Sequence, residues 1–395
     1  MFRVQSPRGF FRLCHHITKR NAIVIAAAVR TPAPTAIKEE KLAGLVVDEL
    51  VKRTLCPREE FKKLFMCASS QCSSELEGMG KELGLKSCQT FKLQKDICSA
   101  GAVRMALQSL QNEDPQCIIT GDSRCQGLKL PPEGLLASEV MSEIKPVVRR
   151  KKGDDKENEE VPAPVEAAAL AWTTYENADR LQLQPLAVVL EFVIEENDVK
   201  TRYKIDRTEP IIAKAVHNWQ FVTIAEKDAS PGQIPRLPAD IIAQLEPHQI
   251  GIHEAQHTTA SHLLTHLVHS LPTGHLGCAV IETLDGNRLV LVLEKLYTEL
   301  PPGHVLPILT LYTKEPCPLC DDLVAQLEDK FAGQFELKKV FIDKKENVRY
   351  LRLFRHDIPV LFFNGQFLCM HRLNEDALTE RLAAFKNDME ASQMD

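Results

Sequence analysis

Apolar positions change their period several times along the chain. Ile23–Ala28 is an unbroken apolar run, the length of a buried strand. Lys41–Leu55 then places Leu42, Leu45, Val46 and Leu50 at the spacing of a helix face. Ala102–Gln111 repeats that spacing with Val103, Ala106, Leu107 and Leu110, and Cys117–Thr120 follows as a strand. The same helix-then-strand order returns at Thr258–Leu271 and Cys278–Ile281, and Leu186–Phe192 reads as a further strand. This repetition predicts a duplicated α/β body, with halves at 22–145 and 165–300. Between them, residues 146–164 lose all periodicity. Arg149, Arg150, Lys151 and Lys152 run into Asp154, Asp155, Glu157, Glu159 and Glu160, a solvated charged linker. Pro301-Pro302-Gly303 marks the next boundary. Residues 306–387 read as a small third unit: a strand Pro307–Tyr312, a helix carrying Leu323, Leu327 and Phe331, a strand Leu337–Ile342, and a hairpin around Asn364-Gly365. Residues 388–395 are expected to be a flexible tail.

Composition narrows the function classes. The chain has 395 residues, too many for one ordinary core, and 44% of them are hydrophobic, so a folded multidomain protein is expected. No apolar run reaches the ~18 residues of a membrane span. The net charge of −6 argues against nucleic acid as a partner. Residues 1–21 differ from the rest. Arg3, Arg8, Arg12, Lys19 and Arg20 lie among Phe2, Phe10, Phe11 and Leu13, and the first acidic residue is Glu39. That is the composition of a mitochondrial transit peptide, so the mitochondrial matrix is the expected location. The 12 cysteines are dispersed, as in a reducing compartment.

Two cysteine motifs carry candidate chemistry. Cys317-Pro318-Leu319-Cys320 stands between a strand and a helix, which places Cys317 at a helix N-terminus. Peptide N–H groups there favour a thiolate, and Cys320, one turn on, can resolve a mixed disulfide. Pro359 opens the hairpin and can be cis. A zinc site would need four ligands, of which this motif supplies two. Thr313–Cys320, Asp357-Ile358-Pro359-Val360 and Asn364-Gly365-Gln366-Phe367 together resemble a small glutaredoxin-like family of the thioredoxin superfamily. The resemblance implies Cys317 as attacking thiol, Cys320 as resolving thiol, Pro359 as the cis residue, and Lys314 as a contact for a glutathione carboxylate. Protein or glutathione disulfides would be the partners. Leu368-Cys369-Met370-His371 departs from the family, standing where typical glutaredoxins carry a Gly-Gly turn.

The second motif is Cys98, in Asp96-Ile97-Cys98-Ser99-Ala100-Gly101 at the start of the Ala102–Gln111 helix. With Ile23–Pro32, Thr120–Ser123 and Glu166–Leu170, it makes residues 22–298 resemble a degenerate thiolase, similar to the β-type thiolases of mitochondrial trifunctional enzymes. The resemblance implies Cys98 as acyl-transfer nucleophile, an acyl-coenzyme A substrate and a dimer through the body. His253-Glu254-Ala255 matches the N-E-A-F motif with His for Asn; alternatively His253 or His257 stands near the G-H-P position. The second catalytic cysteine falls at Glu282. His262, His266 and His269 lie at helical spacing and are expected on a solvated face, with no metal site. The leading reading is thiol–disulfide exchange by Cys317 and Cys320, with no tightly bound cofactor, on an inactive thiolase-like body. The alternatives are an acyltransferase using Cys98 and His253, and a non-enzymatic partner of β-oxidation complexes.

Overall fold

A computed structural model of the chain describes residues 22–31, 37, 39–67, 76–93, 99–112, 116–125, 165–196, 199–204, 219–225, 252–256, 259–271, 273–282, 288–296 and 304–393. The expected transit peptide and charged linker lie outside these residues, as does Cys98.

The first half runs β1 (Ile23–Arg30), α1 (Glu39–Thr54), β2 (Phe61–Cys67), α2 (Leu76–Glu82), β3 (Gln89–Leu93), α3 (Ser99–Asn112), β4 (Cys117–Cys125) and β5 (Val165–Thr174). The second runs α4 (Tyr175–Arg180), β6 (Ala187–Glu196), β7 (Val199–Lys204), β8 (Trp219–Ala225), β9 (Ile252–Gln256), α5 (Ala260–Ser270), β10 (Leu276–Glu282) and β11 (Arg288–Lys295). Their strands form one sheet in the order β3-β2-β4-β5-β1-β6-β11-β10-β8-β9, with β7 on β6. The duplication is visible in that order: β3-β2-β4-β5-β1 and β9-β8-β10-β11-β6 have the same sequence of parallel and antiparallel pairings. α3 links β3 to β4 as α5 links β9 to β10. The halves meet where β1 pairs antiparallel with β6 at Val24↔Val188 and Ile25↔Ala187.

Alternation along β1 sends Val24 and Val29 to one face, against Leu42, Val46 and Leu50 of α1. Ile23 and Ile25 face the other way, onto Val103 and Leu107 of α3 and Leu263, Leu264 and Leu267 of α5. A register shift between Ile25 and Ala27 puts Ala26 and Ala27 on the same side. The unbroken apolar run of this strand thus reflects burial on both faces. Trp172 of β5 is fully buried, and its indole N–H donates to Thr120 Oγ1 at 2.8 Å.

The C-terminal unit comprises β12 (Ile308–Thr313), α6 (Pro318–Phe331), β13 (Glu336–Phe341), α7 (Val348–Phe354), β14 (Val360–Phe363), β15 (Gln366–Met370) and α8 (Glu375–Gln393). Its sheet order is β13-β12-β14-β15, with β12 and β13 parallel and the other pairs antiparallel. Asn364 and Gly365 turn the β14–β15 hairpin with φ of 47° and 80°, the positive pair that a two-residue turn of this kind requires. Asn364 also accepts from the Ile308 N–H through Oδ1 at 2.7 Å, tying the turn to β12.

Candidate active site

Cys317 is the N-cap of α6, and Pro318 occupies the first turn, where its missing N–H is no loss. The Cys317 carbonyl accepts from the N–H groups of Cys320 at 2.9 Å and Asp321 at 3.1 Å. That turn brings the two cysteines to a Cα–Cα distance of 5.3 Å, and they are joined as a disulfide. Both are nearly covered, Cys317 at 8% and Cys320 at 2% exposure, while Leu319 between them is 56% exposed. The dithiol therefore sits at the edge of a core under an exposed apolar residue. The helix N-terminus beneath it stabilises a thiolate on Cys317 once the disulfide opens.

The Ile358-Pro359 peptide is cis, and Ile358 and Val360 pack in the same core cluster as Cys317 and Cys320. The Pro359 carbonyl accepts from the His371 N–H at 2.8 Å. His371 has φ 65°, the left-handed conformation that glycine adopts freely. Lys314 is exposed in the turn before Cys317. Beneath the cysteines lies an aromatic floor: the Tyr312 ring is 4.7 Å from Tyr350, 4.9 Å from Phe354 and 5.5 Å from Phe362. Burial, with Tyr350 beside it, pushes the Tyr312 hydroxyl up, so it stays protonated at neutral pH.

The body covers one flank of this unit. Lys52, in the last turn of α1, pairs with Asp357 at 2.8 Å and with Asp48 at 3.0 Å. Burial alone would lower the Lys52 pKa, but the two carboxylates hold it raised. Arg53 lies over the Phe367 ring at 4.3 Å, and Arg349 donates to the Leu55 carbonyl. Leu55 packs against the cluster that holds Cys317 and Cys320. No local signal in the sequence marked this seam, because its partners are about three hundred residues apart.

The body's candidate residues are placed differently. α3 begins at Ser99, the residue after Cys98. His253 lies on β9, in register with Val222 of β8. The expectation of a solvated histidine face is overturned for α5. His262 is 2% exposed, with Nδ1 2.7 Å from Thr259 Oγ1 and 3.3 Å from Asp122. His269 reaches the Ala28 carbonyl through Nε2 at 2.9 Å. Burial, reinforced by Lys295, holds its pKa well below the usual imidazole value. The cause of the difference is the sheet beneath α5, whose β4 and β1 supply Asp122 and the Ala28 carbonyl to these two histidines. Among the described residues no group of three metal-ligating side chains converges, and no helix is long and apolar enough to cross a membrane.

Comparison with known proteins divides the chain in the same place. Residues 308–383 match the family model of the glutaredoxin-like domain. A glutaredoxin-like protein of Dictyostelium discoideum is 29% identical over 72 residues, covering 17% of this chain and 67% of that protein. Similar solved structures include the Acat5 thiolase of Ascaris suum in complex with coenzyme A, at 14% identity and a TM-score of 0.45, covering 70% of this chain and all of that one. The peroxisomal 3-ketoacyl-CoA thiolase of Saccharomyces cerevisiae is similar at 12% identity and a TM-score of 0.46, covering 70% of this chain and 99% of that one. The C-terminal unit is thus a glutaredoxin-like domain, joined to an α/β body whose structural neighbours are thiolases.

Proposed function

We propose that the protein is a thiol–disulfide oxidoreductase of the mitochondrial matrix, working through Cys317 and Cys320. The observation that carries this reading is the position of Cys317 at the cap of α6 with Cys320 one turn on and bonded to it. In the reduced protein, the Cys317 thiolate attacks a substrate disulfide and forms a mixed disulfide, releasing one substrate thiolate. Cys320 then loses its proton and attacks Cys317, forming the intramolecular disulfide and releasing the second substrate thiol. Two electrons pass to the substrate, and a thiol of the glutathione or dithiol class returns them. Exposed Lys314 offers a cation to a glutathione carboxylate. The cationic, acid-free segment 1–21 supports the matrix location. Full-length protein is expected to reduce a mixed disulfide of glutathione or of a protein, and Cys317→Ser is expected to abolish this. Unchanged reductase activity in that variant would remove the reading.

A second reading, acyl transfer from an acyl-coenzyme A by Cys98, is favoured by one observation: a 14-residue helix starts immediately after that residue. An acyl group trapped on Cys98 and identified by mass spectrometry would establish it.

A further inference from the structure

The body holds a second pair of cysteines that the redox reading does not use. Cys56 stands between α1 and the short turn Arg58–Glu60, and Cys117 opens β4. Their sulfurs are 3.6 Å apart, and both residues are buried, at 0% and 2% exposure. Cys117 Sγ also accepts from Asn177 Nδ2 at 3.6 Å and lies 3.7 Å from Thr173 Oγ1. The hydrogen bond from Cys56 holds Cys117 below the ordinary thiol range against its burial, and the same contact, with burial, pushes Cys56 up. The two thiols thus share one hydrogen bond and sit within reach of each other in a closed, partly polar setting. Three other described thiols show the contrast: burial pushes Cys88 and Cys278 up to about 12 and Cys369 up to about 11. The backbone next to Cys56 is also strained. Leu55 has φ 57°, the left-handed region that a non-glycine residue rarely adopts. Bond formation needs the sulfurs to close by only about 1.5 Å.

We propose that Cys56 and Cys117 form a reversible internal disulfide, with a hydroperoxide as oxidant, as a redox site separate from Cys317 and Cys320. Cys117 gives up its proton and its sulfur attacks the terminal oxygen of the hydroperoxide. The O–O bond breaks, the sulfur becomes a sulfenic acid, and the leaving oxygen takes a proton to become an alcohol, or water for hydrogen peroxide. Cys56 then attacks that sulfur. The S–S bond forms, and hydroxide leaves with the Cys56 proton as water. Two thiols lose two electrons, and one peroxide gains them. A small dithiol reverses the bond by exchange.

The test uses full-length wild-type protein and the double variant Cys317→Ser/Cys320→Ser. Each is treated with hydrogen peroxide, alkylated under denaturing conditions, digested and analysed by mass spectrometry. A Cys56–Cys117 cross-linked peptide is expected in both proteins, lost after dithiothreitol. In Cys56→Ser, the sulfenic acid on Cys117 is left without its resolving thiol, and dimedone is expected to label it. Two outcomes would overturn the proposal: Cys56 and Cys117 both recovered as alkylated thiols, or a cross-link confined to wild type, which would assign the oxidation to Cys317–Cys320. The wild-type readout uses the native cysteines and does not depend on a variant folding; the double variant is compared only once its circular dichroism matches the wild type.

Discussion

Cys317 and Cys320 share one motif and differ in position: one caps a helix and the other lies inside its first turn, which gives them different roles in the proposed exchange. Cys320→Ser is therefore expected to leave Cys317 able to attack and unable to release. The variant should accumulate a mixed disulfide with glutathione, visible as an added mass on Cys317. Recovery of free Cys317 after exposure to glutathione disulfide would contradict this. Lys295 makes a separate prediction. It is 5% exposed and its ammonium donates to the Val268 carbonyl at 2.7 Å. Burial, and secondarily Arg381, lowers its pKa to about 7. In the unfolded chain it keeps its proton up to the ordinary lysine range, so between these limits the unfolded state binds more protons. Folding stability is expected to rise as pH climbs from 7 toward 10, and Lys295→Met should flatten that rise. Urea titrations of both proteins across this range check it; parallel curves would refute it. The C-x-x-C pair was legible as residues at a spacing. The environment of Lys295 was not, because Val268 and Arg381 reach it from other parts of the chain.

At the scale of elements, hydrophobic period predicted α1, α3 and α5 together with the strands that follow the last two, because each is long and one-sided enough to reveal its period. Period could not show that His262 and His269 of α5 meet Asp122 of β4 and the Ala28 carbonyl of β1, which depends on how the helix lies on the sheet. The Asn364-Gly365 turn shows the same division. Its conformation follows from residue type, but its neighbour does not: a Cβ on Gly365 would lie 2.6 Å from Gln184 Cγ in the body. Gly365→Ala therefore faces both the positive φ, which costs about 1–2 kcal/mol, and a side chain of the other unit. A lower thermal midpoint is expected, with faster hydrogen exchange in β15. An unchanged midpoint would mean that the seam yields freely.

At the scale of the molecule, the seam from α1 to β15 joins the glutaredoxin-like domain to the body through Lys52–Asp357, Arg53–Phe367 and Arg349–Leu55. Lys52 stands between two carboxylates, Asp48 and Asp357, so Lys52→Glu would place three acids together. Calorimetry of the wild type is expected to show one cooperative transition, and Lys52→Glu two, as the units uncouple. Two transitions already present in the wild type would show that the contacts do not couple the units.

The amino-acid sequence by itself determined the duplicated α/β pattern, the third unit and its dithiol motif. Each rests on short-range physics: side-chain period, turn chemistry, and the field at a helix N-terminus. Tertiary structure alone decided what meets across long separations. The pairing of β1 with β6 joins the halves, α1 covers the redox unit, His262 turns inward to Thr259 and Asp122, and Cys56 comes to rest against Cys117. The physical reason is that burial and charge partners depend on which surfaces the folded layers bring together, and spacing along the chain carries no record of that.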